Sequence, residues 1–402
     1  MKRVVVTGLG VVSPVGIGVE RFWKALLAGE SGIAPVESYD TSMYPVHLGG
    51  EVRGFDPVPA VRRLSPDKMG RASQFAIAAA REAIADAGLD LHALDRSRIG
   101  VSMGTTSGEP HMVERYNDAR KTSTQPAPCL FSGYPCHVIP SNVAAEFELG
   151  GVTLMIPTAC AAGNYAIGYA FDLVRTGRAS LMLAGGSDAF SRIPYTGFAK
   201  LGAIAPERCQ PFDKNRKGMV PGEGAAMLVL QPLDSVRPGT RIYAEILGYG
   251  VSCDAHHMTA AHPDGDGAMR AMAMAMKGAG VGIDDIDYIS AHGTGTKAND
   301  RIESIALHSM FGARATKVPM SSIKSMLGHT MGAASAIEAA ACSLAVQTGW
   351  VPPTINFEEP DPECEVDCVP NRPRKIDPRV VLNNAYAFGG NNASLCVRRY
   401  EG

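Results

Sequence analysis

VTLMIPTACAAGNYAIGYAFDLVRTG, residues 152–177, sets a strand, a cysteine and a helix in immediate succession. The β-branched and apolar run Val152–Thr158 reads as a strand, and the small residues after it predict a helix over Ala161–Arg175 that stops at Gly177. Another strand is expected at Leu181–Ala184. Upstream the alternation continues, with a strand at Val4–Leu9, a helix at Gln74–Ala87 ending at Gly88, and a strand at Ile99–Met103. Buried strands alternating with Ala-rich helices predict an α/β fold with much parallel sheet.

The second half of the chain replays the first. Ile242–Ser252 (IYAEILGYGVS) echoes Val4–Ser13 (VVVTGLGVVS), and AMKGAGVGIDDIDYISAHGT from Ala275 answers AIADAGLDLHALDRSRIGVSMGT from Ala83. C-A-A-G at Cys160–Gly163 opens one helix and H-T-M-G at His329–Gly332 opens another; each helix closes on Thr-Gly, at Thr176–Gly177 and Thr348–Gly349. A long repeat seen twice predicts a duplicated domain rather than a solenoid. The halves are expected at 1–240 and 241–402, with Cys160 and His329 as equivalent helix starts converging on one cleft.

Composition narrows the class. The chain has 402 residues, 46% of them hydrophobic, and a formal net charge of -2, so it can bury a large core and has no global pull toward nucleic acid or acidic membranes. Nine cysteines without dense spacing predict free thiols in a reducing, cytoplasmic compartment. Cys364 and Cys368 lack the further ligands of a zinc site, so no metal is expected there. The opening MKRVVVTGLGVV lacks a cleavage-site pattern and reads as a first buried strand. No apolar run is long enough for a transmembrane helix. Gly8-Leu9-Gly10 lacks the third glycine of a dinucleotide fingerprint and reads as a tight turn.

Three residues carry the candidate chemistry. Cys160 sits where a strand gives way to a helix, and the positive end of a helix favours a thiolate. A buried structural cysteine would suit the same position, and the residue alone does not choose. His292 ends the expected strand Ile286–Ala291 and is followed by Gly293-Thr294-Gly295-Thr296. His329 is expected at a helix start, which disfavours imidazolium and leaves a neutral hydrogen-bond donor. Lys324 and Glu338 flank it.

T-A-C-A-A-G (Thr158–Gly163), A-H-G-T-G-T (Ala291–Thr296), K-S-M-L-G-H-T-M-G-A-A (Lys324–Ala334) and A-F-G-G-N-N (Ala387–Asn392) follow one another in that order. With VVVTGLGVVSPVG, Cys209–Gly224 and Asp254–Thr259, they resemble the elongating β-ketoacyl-acyl-carrier-protein synthases of type II fatty acid and polyketide systems, over essentially the whole chain. The resemblance implies a thiolase-like fold of five αβαβα layers. It implies acylation of Cys160 and enolate stabilisation by His292 and His329. Lys324 and Glu338 would support the histidines, and the backbone of Cys160 and Phe388 would form an oxyanion hole. Phe388 with Gly389 and Gly390 would gate the site, beside a mobile Asp254–Thr259 loop. Thr294 and Thr296 would line the substrate pocket.

No cofactor is implied beyond the phosphopantetheine arm of an acyl carrier protein, in acyl and malonyl forms, and no metal. The mate is a second identical chain or a paralogue, with no nucleic acid and no membrane as partner. Carrier docking is expected at a basic cluster, Arg62, Arg63, Lys68 and Arg71, with Arg208. Departures from the family pattern fall at Lys297 (usually Pro), Asn299-Asp300, Ser335 (usually Gly), Tyr386-Ala387 and Asn391. They point toward a specialised synthase, and Ala387 in place of Gly predicts a gate with altered opening. A non-catalytic chain-length factor is the rival within the family; Cys160 argues against it. Starter-type synthases use Cys-His-Asn in place of Cys-His-His.

Overall fold

The computed structural model describes residues 1–122 and 124–402. Its main strands are β1 (Val4–Ser13), β2 (Ile99–Gly104), β3 (Thr153–Ile156), β4 (Leu181–Asp188) and β5 (Gly224–Pro232). In the second half come β6 (Ala244–Cys253), β7 (Tyr288–Ser290), β8 (Met320–Ser321), β9 (Val380–Tyr386) and β10 (Asn391–Arg398). They form one mixed sheet in the order β8-β7-β9-β10-β6-β1-β5-β4-β2-β3. Read from the centre outward, the order is the same in both directions: β1-β5-β4-β2-β3 on one side and β6-β10-β9-β7-β8 on the other. Each half has a parallel outer trio and two antiparallel inner strands.

The helices repeat in step. In the first half α1 (Arg71–Asp86) and α2 (Val138–Phe147) cover one outer face; in the second, α4 (Asp266–Ala279) and α5 (Lys297–Phe311) cover the other. Between the half-sheets lie α3 (Ala162–Arg175) and α6 (Ala334–Thr348), packed on one another, giving five layers in all. Alternating residues of β5 show why both faces must be apolar. Ala226, Leu228 and Leu230 enter the central core with α3 and α6, while Ala225, Met227 and Val229 pack under α1. A third core joins α4 and α5 to Ile289 and Leu382.

Two expectations are corrected. Gly8 and Gly10 make no turn; they lie inside the continuous strand β1. A Cβ on Gly8 would stand 2.2 Å from the Ala83 carbonyl oxygen, and one on Gly10 1.9 Å from that of Ala79. The glycines let α1 approach the sheet backbone closely. The register of the repeat also differs. A 3-10 turn, Ala159–Ala161, leads into α3, and its counterpart Met331–Ala333 leads into α6. Ala159 and Met331, at φ 51° and 54°, are the matching strained residues of the two turns. Gly332, three residues beyond His329, therefore stands opposite Cys160. The Thr-Gly helix ends already carried this register.

Candidate functional site

The two turns meet at the centre of the molecule, and the side chains around them share a cavity of about 190 Å³. Cys160, His292, Thr294, Thr296, His329, Tyr386 and Phe388 line it. Cys160 comes from the first half and both histidines from the second. His329 Nε2 lies 3.1 Å from Cys160 Sγ, and the two imidazole rings meet edge to face with centroids 5.5 Å apart.

The tautomer of His329 follows from its other nitrogen. Met331 N–H donates to Nδ1 at 3.2 Å, so in the neutral ring the proton sits on Nε2 and faces the sulfur. Burial, with the nearby Lys324 ammonium, holds both histidines well below the usual imidazole range. They are neutral at pH 7. The His329 backbone is pinned by its N–H to Val220 O at 2.6 Å and by Gly222 N–H to its own carbonyl at 2.8 Å. The backbone N–H groups of His292 and Gly293 donate to Glu303 at 2.8 and 2.7 Å. His292 Nδ1 is buried without a partner among the described residues.

The sulfur behaves differently from the sequence expectation. Burial pushes the Cys160 thiol up to about 11, although Lys324 and the backbone N–H groups of Cys160 and Phe388 pull the other way. Desolvation outweighs the helix start, so the resting pair is thiol and imidazole. Lys324 donates to Glu338, both nearly fully buried. Burial raises the Glu338 carboxyl and Lys324 lowers it, with burial the larger effect. Cys160, His292 and His329 also bring three possible ligand atoms within 4.8 Å of one another. The Lys324 charge, felt at all three, disfavours a cation among them.

Phe388 is exposed and stacks at a tilt on Phe198, with centroids 5.7 Å apart. Gly389 and Gly390 adopt φ 84° and 75°, open to glycine at little cost. Gly389 N–H is taken by Met258 O at 2.7 Å, and Gly390 O accepts from Asp254 N–H at 2.9 Å. These bonds tie the Phe388 turn to the 254–259 loop, and of this turn it is Phe388 whose N–H faces the sulfur. Ala387 sits in extended conformation at φ -123°, where a Cβ is free of strain. Ser335 has a structural use, its hydroxyl accepting from Asn164 N–H at 3.0 Å across the two central helices.

The docking candidates do not form one free basic patch. Arg71 is held by Glu223 at 2.8 Å and lies over the Phe75 ring at 4.5 Å. Arg63 pairs with Glu148 and Arg208 with Glu358, each at 2.9 Å. Arg62 and Lys68 are exposed, and none of the five lines the cavity. Sequence reasoning missed Asp188 and Glu303. Asp188, at the end of β4, accepts from Thr105 Oγ1, Thr106 N–H, Ser107 N–H and Gly332 N–H at 2.6–2.9 Å. A carboxylate closing a buried strand was the available signal.

Family models match most of the chain: β-ketoacyl synthase, N-terminal domain, over residues 1–235, and β-ketoacyl synthase, C-terminal domain, over 243–358. The chain is 40% identical to a 3-oxoacyl-[acyl-carrier-protein] synthase 2 of Synechocystis sp., covering 100% of this chain and 99% of that one. Among solved structures, the ishigamide ketosynthase/chain length factor aligns with a TM-score of 0.96 at 44% identity, with 100% of both chains covered. A type II polyketide acyl-carrier protein in complex with its ketosynthase, bound to the hexaketide, aligns at 0.91 and 32% identity over 99% of this chain and 100% of that one.

Proposed function

The chain belongs to the β-ketoacyl synthase family, and we propose that it extends an acyl chain on Cys160 by decarboxylative condensation with a malonyl thioester. The observation that carries this reading is the neutral His329 with its Nε2 proton turned toward Cys160 Sγ. A proton there is a donor for an enolate oxygen, not a base for the thiol.

The steps assign themselves to the two halves. Cys160 sulfur attacks the acyl thioester of a carrier protein, and the carrier thiol leaves with the proton. The malonyl thioester then enters, and loss of carbon dioxide leaves its bonding electrons in an enolate whose oxygen is held by His292 and His329. The enolate carbon attacks the acyl-Cys carbonyl. The N–H groups of Cys160 and Phe388 hold the resulting oxyanion, and its collapse expels the cysteine sulfur, which regains a proton. Lys324, held by Glu338, keeps the histidines uncharged; Gly389 and Gly390 give the Phe388 gate its hinge. Thr294 and Thr296 line the entry for the arm. The dividing point between the halves is 240/241 in this reading.

No cofactor beyond the carrier's arm enters these steps. The mate is an identical chain or a paralogue, supported by the ketosynthase/chain length factor relative at 44% identity. A cytoplasmic location is supported by nine unpaired cysteines; no helix among the described residues is long and apolar enough to cross a membrane. The test is incubation with acyl carrier thioester, then peptide mass analysis and addition of malonyl carrier. An acyl mass on the Cys160 peptide and a product two carbons longer are expected. Product formation with Cys160 unmodified would contradict the reading.

A further inference from the structure

Beside the catalytic cavity lies a more open cleft of about 640 Å³, whose lining includes Lys214, Arg216, Lys217 and Lys297. The two spaces share walls: Ala203, Thr296 and Ala298 line both. The charges in the cleft are not equally engaged. Lys214 is paired with Glu359, and the buried Arg216 guanidinium lies between Asp300 and Asp361. Lys217 and Lys297 are exposed, and among the described residues neither ammonium has an ion-pair or hydrogen-bond partner. The cleft thus carries two uncompensated cations at the threshold of the catalytic cavity. Lys297 also opens α5, with Thr296 as its cap, so the positive end of that helix adds to the same field.

We infer that this cleft binds the phosphate of the carrier protein's prosthetic arm, with Lys217 and Lys297 as its ligands. The inference rests on the proposed function and assigns a recognition site within it. A phosphodiester is the one fixed charge on the arm, and two flexible ammonium groups suit it as point charges. From there the neutral amides and thioester pass Thr296 and Thr294, whose hydroxyls lie 2.9 Å apart, toward Cys160. Lys297 stands where the family resemblance leads one to expect proline, so this half of the site is particular to the chain. Coenzyme A thioesters present phosphate chemistry too, and the assay separates the two sources.

The experiment compares wild type with the double variant K217Q/K297Q in decarboxylation of four malonyl thioesters: pantetheine, 4′-phosphopantetheine, coenzyme A and the carrier protein. The expected result is a KM about tenfold higher for the phosphopantetheine and carrier forms, with kcat and the phosphate-free pantetheine KM unchanged. Lys→Arg at both positions should restore the lower KM. An equal rise for pantetheine, or no change for any substrate, would overturn the site. A rise for the carrier alone would assign the lysines to the carrier's surface, and a rise for coenzyme A alone to a nucleotide; either result rejects the proposal. Failure of the wild type to decarboxylate even malonyl-pantetheine, with no adduct on Cys160, would instead strike the parent function.

Discussion

The turns at Cys160 and at Gly332 are copies of one structure put to different uses. Each follows a matching strained residue, leads into a central helix and lies at the middle of a mirrored sheet. In the first copy the turn carries Cys160, the proposed nucleophile. In the second the equivalent position is a glycine, and the chemistry has moved three residues upstream to His329. The copies also brace each other: Asp188 of the first half accepts from Gly332 N–H at 2.6 Å, and Ser335 of the second accepts from Asn164 N–H of the first. Duplication thus supplies two helix starts in one place, and in the proposed mechanism their divergence divides covalent capture from enolate support.

The division can be tested at several depths. Removing either donor, His329→Ala or His292→Ala, should cut decarboxylation of a malonyl thioester by about 100- to 1,000-fold, with circular dichroism unchanged; a loss below tenfold would remove that ring from enolate support. Lys324→Met leaves Glu338 buried without its partner and should cost about 3–5 kcal/mol in denaturant unfolding. Adding Glu338→Leu should recover most of that stability but not the rate. Recovery of both would make the pair a folding device alone. The smallest effect is Ser335→Ala, which removes one cross-half hydrogen bond and should cost about 1 kcal/mol.

The pH dependence sharpens the account of the nucleophile. A folded-state thiol pushed up to about 11, facing an imidazole held down by burial, is protonated at neutrality and ionises only as pH rises. Alkylation of Cys160 by iodoacetamide should therefore climb about tenfold per pH unit between pH 7 and 9. A plateau by pH 7 would mean a thiolate–imidazolium pair and a base role for His329.

Much of this was legible in the sequence because it rests on local pattern. The strand expected at Leu181–Ala184, which runs on to Asp188, and the helix expected at Ala161–Arg175, observed at Ala162–Arg175, follow from apolar periodicity and a terminal glycine, and Cys160, His292 and His329 from motifs in order. What escaped depends on contacts distant in the chain. Gly8 and Gly10 look like a turn until α1, more than sixty residues on, is packed against them. Asp188 offered one signal, a carboxylate at the end of a buried strand, but neither it nor Glu303 shows in sequence which backbone N–H groups of other segments it holds. The thiolate expected from a helix start failed because burial, a tertiary property, outweighed a local dipole. The basic cluster is partly engaged, since Glu148, Glu223 and Glu358 come into reach of Arg63, Arg71 and Arg208.

The most direct test of the central claim pairs two assays, condensation and malonyl decarboxylation, in Cys160→Ala. Condensation is expected to vanish while decarboxylation persists, because the second half would hold the enolate without help from the sulfur. Condensation that survives without Cys160 would contradict it, as would decarboxylation lost in a folded variant.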